Sequence, residues 1–211
     1  MNDPERPTRP ALSREYILRT ALRVVDRDGA DKLTMRRLGT ELGVDPMAIY
    51  HYLPNKAALF DGITEVIWSS LDLDTMDPED PWQRQLAAAM HALRGTLRAH
   101  PHAVAILGTR PVSSPELLTL VDHMLGVLVR SGMPATADTA DLLSTLVTYT
   151  IGHVLAEVGD PVGGESAPAY QTLSPETHPH LAAMLNTGWT FDPDAQYDHG
   201  LNALLTGWRS A

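Results

Sequence analysis

The chain has 211 residues, no cysteine and a formal net charge of −10. That length suits one large domain, or a small domain and a larger one, and the lack of cysteine excludes a disulfide scaffold, a thiolate metal site and a cysteine nucleophile. The acidic balance confines any contact with a polyanion to the N-terminal segment, because residues 1–60 carry ten basic against eight acidic residues while the remainder carries −12.

Helical periodicity runs through the chain, with no period-2 strand pattern and no internal repeat, so the expected fold class is all-α. The first ten residues are polar and proline-rich, and no run approaches the roughly 20 apolar residues of a membrane span. The expectation is a cytoplasmic protein without membrane contact. Ser13 caps a first helix that buries Ile17, Leu18, Ala21, Leu22 and Val25 and stops at Gly29. Thr34 caps a short second helix with Leu38 and Leu42 inward. Gly43 ends it, and Asp45-Pro46 starts a third that Pro54 breaks.

Asn55 caps a fourth helix running toward Leu71, and the acidic, proline-containing stretch 72–80 reads as a linker. Pro81 leads an alanine-rich helix to about Ala99, and a short piece after Pro101 ends near Gly108. Ser114-Pro115-Glu116 starts a helix to Ser131, stopped by Gly132, and the longest apolar helical stretch spans about 135–158. Residues 159–174, rich in Gly, Pro and Ser, read as a mobile loop. Two last helices, 175–187 and 193–209, carry Leu181, Met184, Leu185, Leu201, Leu204, Leu205 and Trp208 as the expected homodimer stripe. The expected division is a DNA-binding domain over 1–71 and a helical effector-binding and dimerisation domain over 72–211.

Residues 33–59 read LTMRRLGTELGVDPMAIYHYLPNKAAL. A short helix held by Ile49 against Leu38 and Leu42 leaves its other face free, and a helix of that size fits the major groove of DNA. On that face stand Asp45, Pro46, Met47, Ala48, Tyr50 and His51. Tyr50 can bond a phosphate or a base edge, while Pro46, Met47 and Ala48 offer apolar contact, for instance to a thymine methyl. Arg36 is the candidate guanine reader, with Arg37 beside it, and Thr34, Tyr52 and Lys56 are placed for phosphates. The alternative is that the two tyrosines only pack and the two arginines form a solvated face. The Leu-Thr start, the Leu-Gly-Val turn, the Tyr-x-Tyr and the Asn-Lys pair resemble the helix-turn-helix of the tetracycline-repressor (TetR) family over residues 13–71. The resemblance implies that Arg36, Tyr50 and Lys56 contact double-stranded operator DNA.

A second resemblance lies in residues 107–111, LGTRP, the leucine-rich stretch 117–128, and Ile151-Gly152-His153-Val154-Leu155, which are similar to the ligand-binding domain of the tetracycline repressors. In those proteins a magnesium-binding histidine precedes LGTRP, and here Ile106 stands there; a drug-contacting asparagine and phenylalanine fall near Ala89 and Leu93. An aliphatic side chain cannot coordinate a hard divalent cation. No metal or other cofactor is therefore expected. The expected effector is a small, largely apolar organic molecule in a cleft lined by Met90, Leu93, Leu97, Ile106, Met124, Leu142, Leu146 and Tyr149. Thr109, Arg110, His153 and Glu157 are its candidate polar contacts, and the alternative for each of these residues is ordinary bundle core. Arg110, just after a helix break, can instead cap carbonyls and hold the loop.

His100-Pro101-His102 and His178-Pro179-His180 invite a metal reading, but proline prevents the i,i+4 arrangement that puts two ligands on one helix face. There is no G-x-S-x-G elbow, phosphate loop or dinucleotide fingerprint, so no catalytic residue is assigned. The function expected is a ligand-responsive transcriptional regulator, a dimeric repressor released from a palindromic operator by its effector. The alternative is a helical small-molecule-binding or enzymatic protein whose N-terminal bundle does not touch DNA.

Overall fold

A computed structural model describes residues 11–71, 77, 79–110, 112, 114–159, 174–190 and 192–208. Among them are ten α-helices and no strand, an all-α architecture. The N-terminal unit consists of α1 (Arg14–Asp28), α2 (Met35–Leu42), α3 (Pro46–Tyr50) and α4 (Lys56–Ser69). Each starts where the sequence offers a side-chain acceptor. Ser13, Thr34, Asp45 and Asn55 accept from the backbone N–H groups of Tyr16, Arg37, Met47 and Ala58, satisfying donors that have no partner inside the helix. Gly43 ends α2 at φ +66°, a left-handed value that suits glycine. Ile17, Leu18, Leu38, Leu42, Ile49, Leu53, Leu59 and Ile63 are buried together, so α3 rests on the core through Ile49 alone. It ends at Tyr50, before Pro54.

The C-terminal half is built on α5 (Trp82–Ala99) and α8 (Ala137–Val158), which pack along each other. The 3-10 turn Pro101–Ala103 leads into α6 (Val104–Thr109), which lies on α8 and α4. The amphipathic α7 (Pro115–Arg130) leans on α4 and α5, and α10 (Pro193–Gly207) on α8 and α5. The expected loop over 159–174 and the linker over 72–80 fall largely outside the described residues.

Two expectations for the last helices change. The segment expected to start at Pro175 makes only a turn over 175–177, and α9 is the short Pro179–Leu185. Pro179 has no N–H to continue a helix from Pro175, and the residue before a proline is pushed out of the α region; His178 sits at φ −134°. The expected dimer stripe also divides. Leu201 is buried within the single chain, and Leu204, Leu205 and Trp208 pack against the same core, whereas Leu181 and Met184 of α9 are exposed.

Candidate DNA interface and effector cavity

The free face of α3 carries Met47, Tyr50 and His51, at helical spacing i, i+3 and i+4, and all three are exposed; Met47 retains 64 % of its accessible surface. Pro46 and Ala48 are half-buried beside them. The close seat of α3 on α2 depends on Gly39, where a Cβ would lie 2.9 Å from the Val44 carbonyl oxygen and 3.2 Å from Pro46 Cγ. Arg36 is exposed, and among the described residues its side chain has no hydrogen bond or ion pair. Lys56 is exposed at the first turn of α4, its Nζ 5.3 Å from the Phe60 ring centre. Arg36, Met47, Tyr50, His51 and Lys56 are thus available to a ligand.

The other candidate DNA residues hold the unit together. Arg37 pairs with Asp28 at 2.6 Å, and Arg27 bridges the same Asp28 and Glu41, which ties α1 to α2. Thr34 and Asp45 are the caps already described. The Tyr52 hydroxyl donates to the Leu12 carbonyl oxygen at 3.0 Å.

The twelve candidate effector residues do not share one cleft. An almost wholly apolar cavity of about 300 Å³ opens between four helices. Its walls are Trp68 of α4, Leu86 and Met90 of α5, Val121, Met124, Leu125 and Leu128 of α7, and Leu143, Ser144, Val147 and Thr148 of α8, with Val112 at the rim. Of the expected set only Met90 and Met124 line it. Leu93, Leu97 and Leu146 are buried in the helix core. Leu142 faces a separate, more polar cavity with Trp82 and Trp208. The sequence pattern of α7 contained the missing wall, since 117, 121, 124, 125 and 128 repeat at helical spacing; that stretch is legible as an inward face but not as a cavity wall.

Ile106, Thr109 and Arg110 border a shallow depression against α4. Thr109 donates to the Ala105 carbonyl oxygen at 2.7 Å. Arg110 reaches across to α4, its Nε donating to Asp61 at 2.6 Å and a terminal nitrogen to the Ala57 carbonyl oxygen at 3.0 Å. It has the holding role set out above as the alternative.

Tyr149, His153 and Glu157 belong to a polar cluster between α5, α8 and α10. Glu157 accepts from Arg94 at 3.0 Å and Arg98 at 3.1 Å; Arg94 also meets Asp194 at 2.7 Å and lies 4.7 Å from the Tyr197 ring centre. Tyr149 stacks on Tyr197, whose hydroxyl donates to the Met90 carbonyl oxygen. Burial pushes the Tyr197 phenol up to about 12. Burial, aided by the Arg94 charge, holds His153 below the ordinary histidine range. Neither ring nitrogen of His153 has a hydrogen-bond partner among the described residues.

An N-terminal helix-turn-helix with a free reading face, joined through α4 to a helical body that encloses an apolar cavity, defines a DNA-binding regulator with a ligand-binding half. Residues 17–63 match the family model for bacterial regulatory proteins of the tetR family, and residues 75–211 match the tetracyclin repressor-like C-terminal domain. The tetracycline repressor protein class A from transposon 1721 of Escherichia coli is 31 % identical over 201 residues, covering 93 % of this chain and 90 % of that protein. An HTH-type transcriptional regulator of Saccharopolyspora erythraea is 28 % identical over 205 residues, covering 95 % and 86 %. The solved structure of a possible TetR family transcriptional regulator from Streptomyces coelicolor A3(2) is 30 % identical, superposes with a TM-score of 0.74, and covers 92 % of this chain and 98 % of that one. The chain belongs to the TetR family of transcriptional regulators. Among the described residues no helix is long and apolar enough to cross a membrane.

Proposed function

We propose that the protein is a homodimeric repressor that sets one α3 into the major groove of each half of a palindromic operator and is released by a small, largely apolar organic effector. The observation that carries the coupling is Trp68: the cavity wall includes a side chain of α4, the helix that begins beside the DNA-facing residues. An occupant of the cavity presses on the same rigid element that carries Lys56. Two half-sites must be met about 34–36 Å apart, so a small tilt of α4 takes one recognition helix out of register. Arg110, bonded to Asp61 and Ala57, gives the body a second hold on α4.

Arg36 serves as base reader and Lys56 as phosphate contact, with Met47, Tyr50 and His51 filling the groove. The residues do not fit the magnesium-dependent recognition of a tetracycline. Ile106 stands where the resemblance places the metal-binding histidine, and among the described residues the cavity wall offers as polar groups the hydroxyls of Ser144 and Thr148 and the indole N–H of Trp68. The relation to a tetracycline repressor supports repression as the mode of action.

Selection of duplexes from a random pool tests the reading. Enrichment of a palindromic sequence, bound by a species that light scattering weighs as a dimer, is the expected result. A pool that stays random, or a monomer on a single half-site, overturns it.

A further inference from the structure

The His100-Pro101-His102 turn grips the last turn of α1. His100 Nδ1 lies 2.9 and 3.0 Å from the two carboxylate oxygens of Asp26, and His102 Nδ1 lies 2.8 Å from the Asp26 backbone carbonyl oxygen. That carbonyl is one of the last four of α1, a helix end that carries partial negative charge. Two imidazoles from a turn stiffened by proline therefore meet two negative groups of one residue, across the contact between the DNA-reading helices and the effector-binding half. We infer that this turn is a latch that positions the reading unit on the body, and that it tightens when His100 and His102 take up protons. The inference about DNA rests on the function proposed above; the latch itself does not.

The protonation argument follows from the geometry. A nitrogen facing a carbonyl oxygen or a carboxylate must donate, so Nδ1 carries the hydrogen in both rings and Nε2 is left to accept the proton. Proton uptake at Nε2 keeps both bonds and converts them to charge-assisted ones, to a carboxylate from His100 and to a helix C-terminus from His102. Imidazole is the side chain that changes charge in the physiological range.

The other charged side chains on the elements packed against the turn are engaged elsewhere, apart from Asp138 and Asp141 at the N-terminal end of α8. On α1, Arg23 bonds the Thr20 hydroxyl, and Arg27 and Asp28 belong to the network with Arg37 and Glu41. On α5 and α8, Arg94, Arg98 and Glu157 pair with one another and with Asp194, while His153 and Tyr149 lie against Tyr197. Helix α6 has no charged side chain before Arg110, which is held by Asp61. Asp26 is the residue that meets both histidines, through its carboxylate at His100 and its backbone carbonyl at His102.

A thermal double-mutant cycle on the full chain, with Asp26→Asn, His100→Gln and both together, decides the matter. Glutamine keeps an N–H donor and cannot be charged. The expected coupling is about 2–4 °C in Tm at pH 6, falling to less than half of that at pH 8. On a duplex selected from a random pool, wild type and the His100→Gln, His102→Gln double variant should differ in affinity by about threefold at pH 6 and converge at pH 8. The exposed His51 on α3 is common to both proteins, so its own titration cancels in that ratio. Equal coupling at the two pH values overturns proton-tightening, and an affinity ratio independent of pH overturns the positioning role. A pool that yields no selected duplex refutes the proposed repressor instead, and the Tm cycle still decides the latch.

Discussion

Glu157 is a candidate polar contact of the effector, and it stands in a buried ionic cluster with Arg94 and Arg98; Glu157→Gln separates a ligand contact from a structural role. Its side chain is 8 % exposed and that of Arg94 7 %, and Arg98 supplies a second contact at 3.1 Å. Removing the carboxylate charge leaves the Arg94 guanidinium buried against Asp194, which is 66 % exposed, and the face of Tyr197. Breaking a buried pair by altering one partner costs about 3–5 kcal/mol. Glutamine keeps one acceptor and Asp194 keeps one charge, so the lower end applies, about 3 kcal/mol. At about 2–4 °C per kcal/mol for a chain of this size, Tm should fall by about 6–12 °C. The paired replacement Arg94→Met, Glu157→Leu should recover much of the loss, because no buried charge is then left alone. Thermal unfolding followed by circular dichroism reads both. A fall below about 2 °C for Glu157→Gln would refute the reasoning, since the pair would then be behaving as a solvated one.

Three further outcomes follow from the same geometry. The folded state holds His153 below its unfolded value of about 6.5, so the unfolded chain binds more protons, and this stability is present above about pH 6.5 and lost as pH falls; His153→Gln should flatten the acid side of a Tm–pH curve, and an unchanged slope would contradict it. Gly62→Ala places a Cβ 2.3 Å from Leu18 Cδ2 in the α1–α4 contact, and overpacking of about 1–3 kcal/mol outweighs a helix-propensity gain of about 1 kcal/mol, so urea unfolding should show a net loss. Arg36→Ala should relax base preference in a selected duplex, whereas Lys56→Ala should weaken all sequences alike and reduce the salt slope by about one; parallel losses in the two variants would undo that division.

How far the sequence could be read depended on whether the information was local. The caps at Ser13, Thr34, Asp45, Asn55 and Ser114 start helices where expected, because an N-cap is decided by a side chain and a backbone N–H two or three residues away. The exposed face of α3 is legible for the same reason: a five-residue helix with Ile49 inward leaves Met47 and Tyr50, and His51 just after it, outward. Membership of one cavity is a different kind of fact. Leu142, Leu146, Tyr149 and His153 recur on α8 at spacings that mark an inward face, yet α8 packs on α5, α6 and α10 and shares a cavity with α7, and so has more than one inward direction. Leu143, Val147 and Thr148 turn toward α7 and line the apolar cavity, while Tyr149 and His153 turn toward α10 and enter the ionic cluster.

Periodicity assigns burial but not the partner that causes it, and a residue 74 positions away is invisible to it. His100-Pro101-His102 reads as unable to place two ligands on one helical face, and in the fold its two Nδ1 atoms converge on Asp26 of a distant helix. The same limit separates Arg36 from Arg37. They are adjacent in sequence, and only the position of Asp28 after the first helix has folded back decides that Arg37 is an internal tie while the Arg36 side chain stays unpaired among the described residues. With Arg14 held by Glu65, Arg19 by Glu15, and Arg27 and Arg37 in the Asp28 network, the basic residues of 11–60 without an acidic partner among the described residues are Arg23, Lys32, Arg36 and Lys56; under the proposed function Arg36 and Lys56 are the two expected to show in a salt titration.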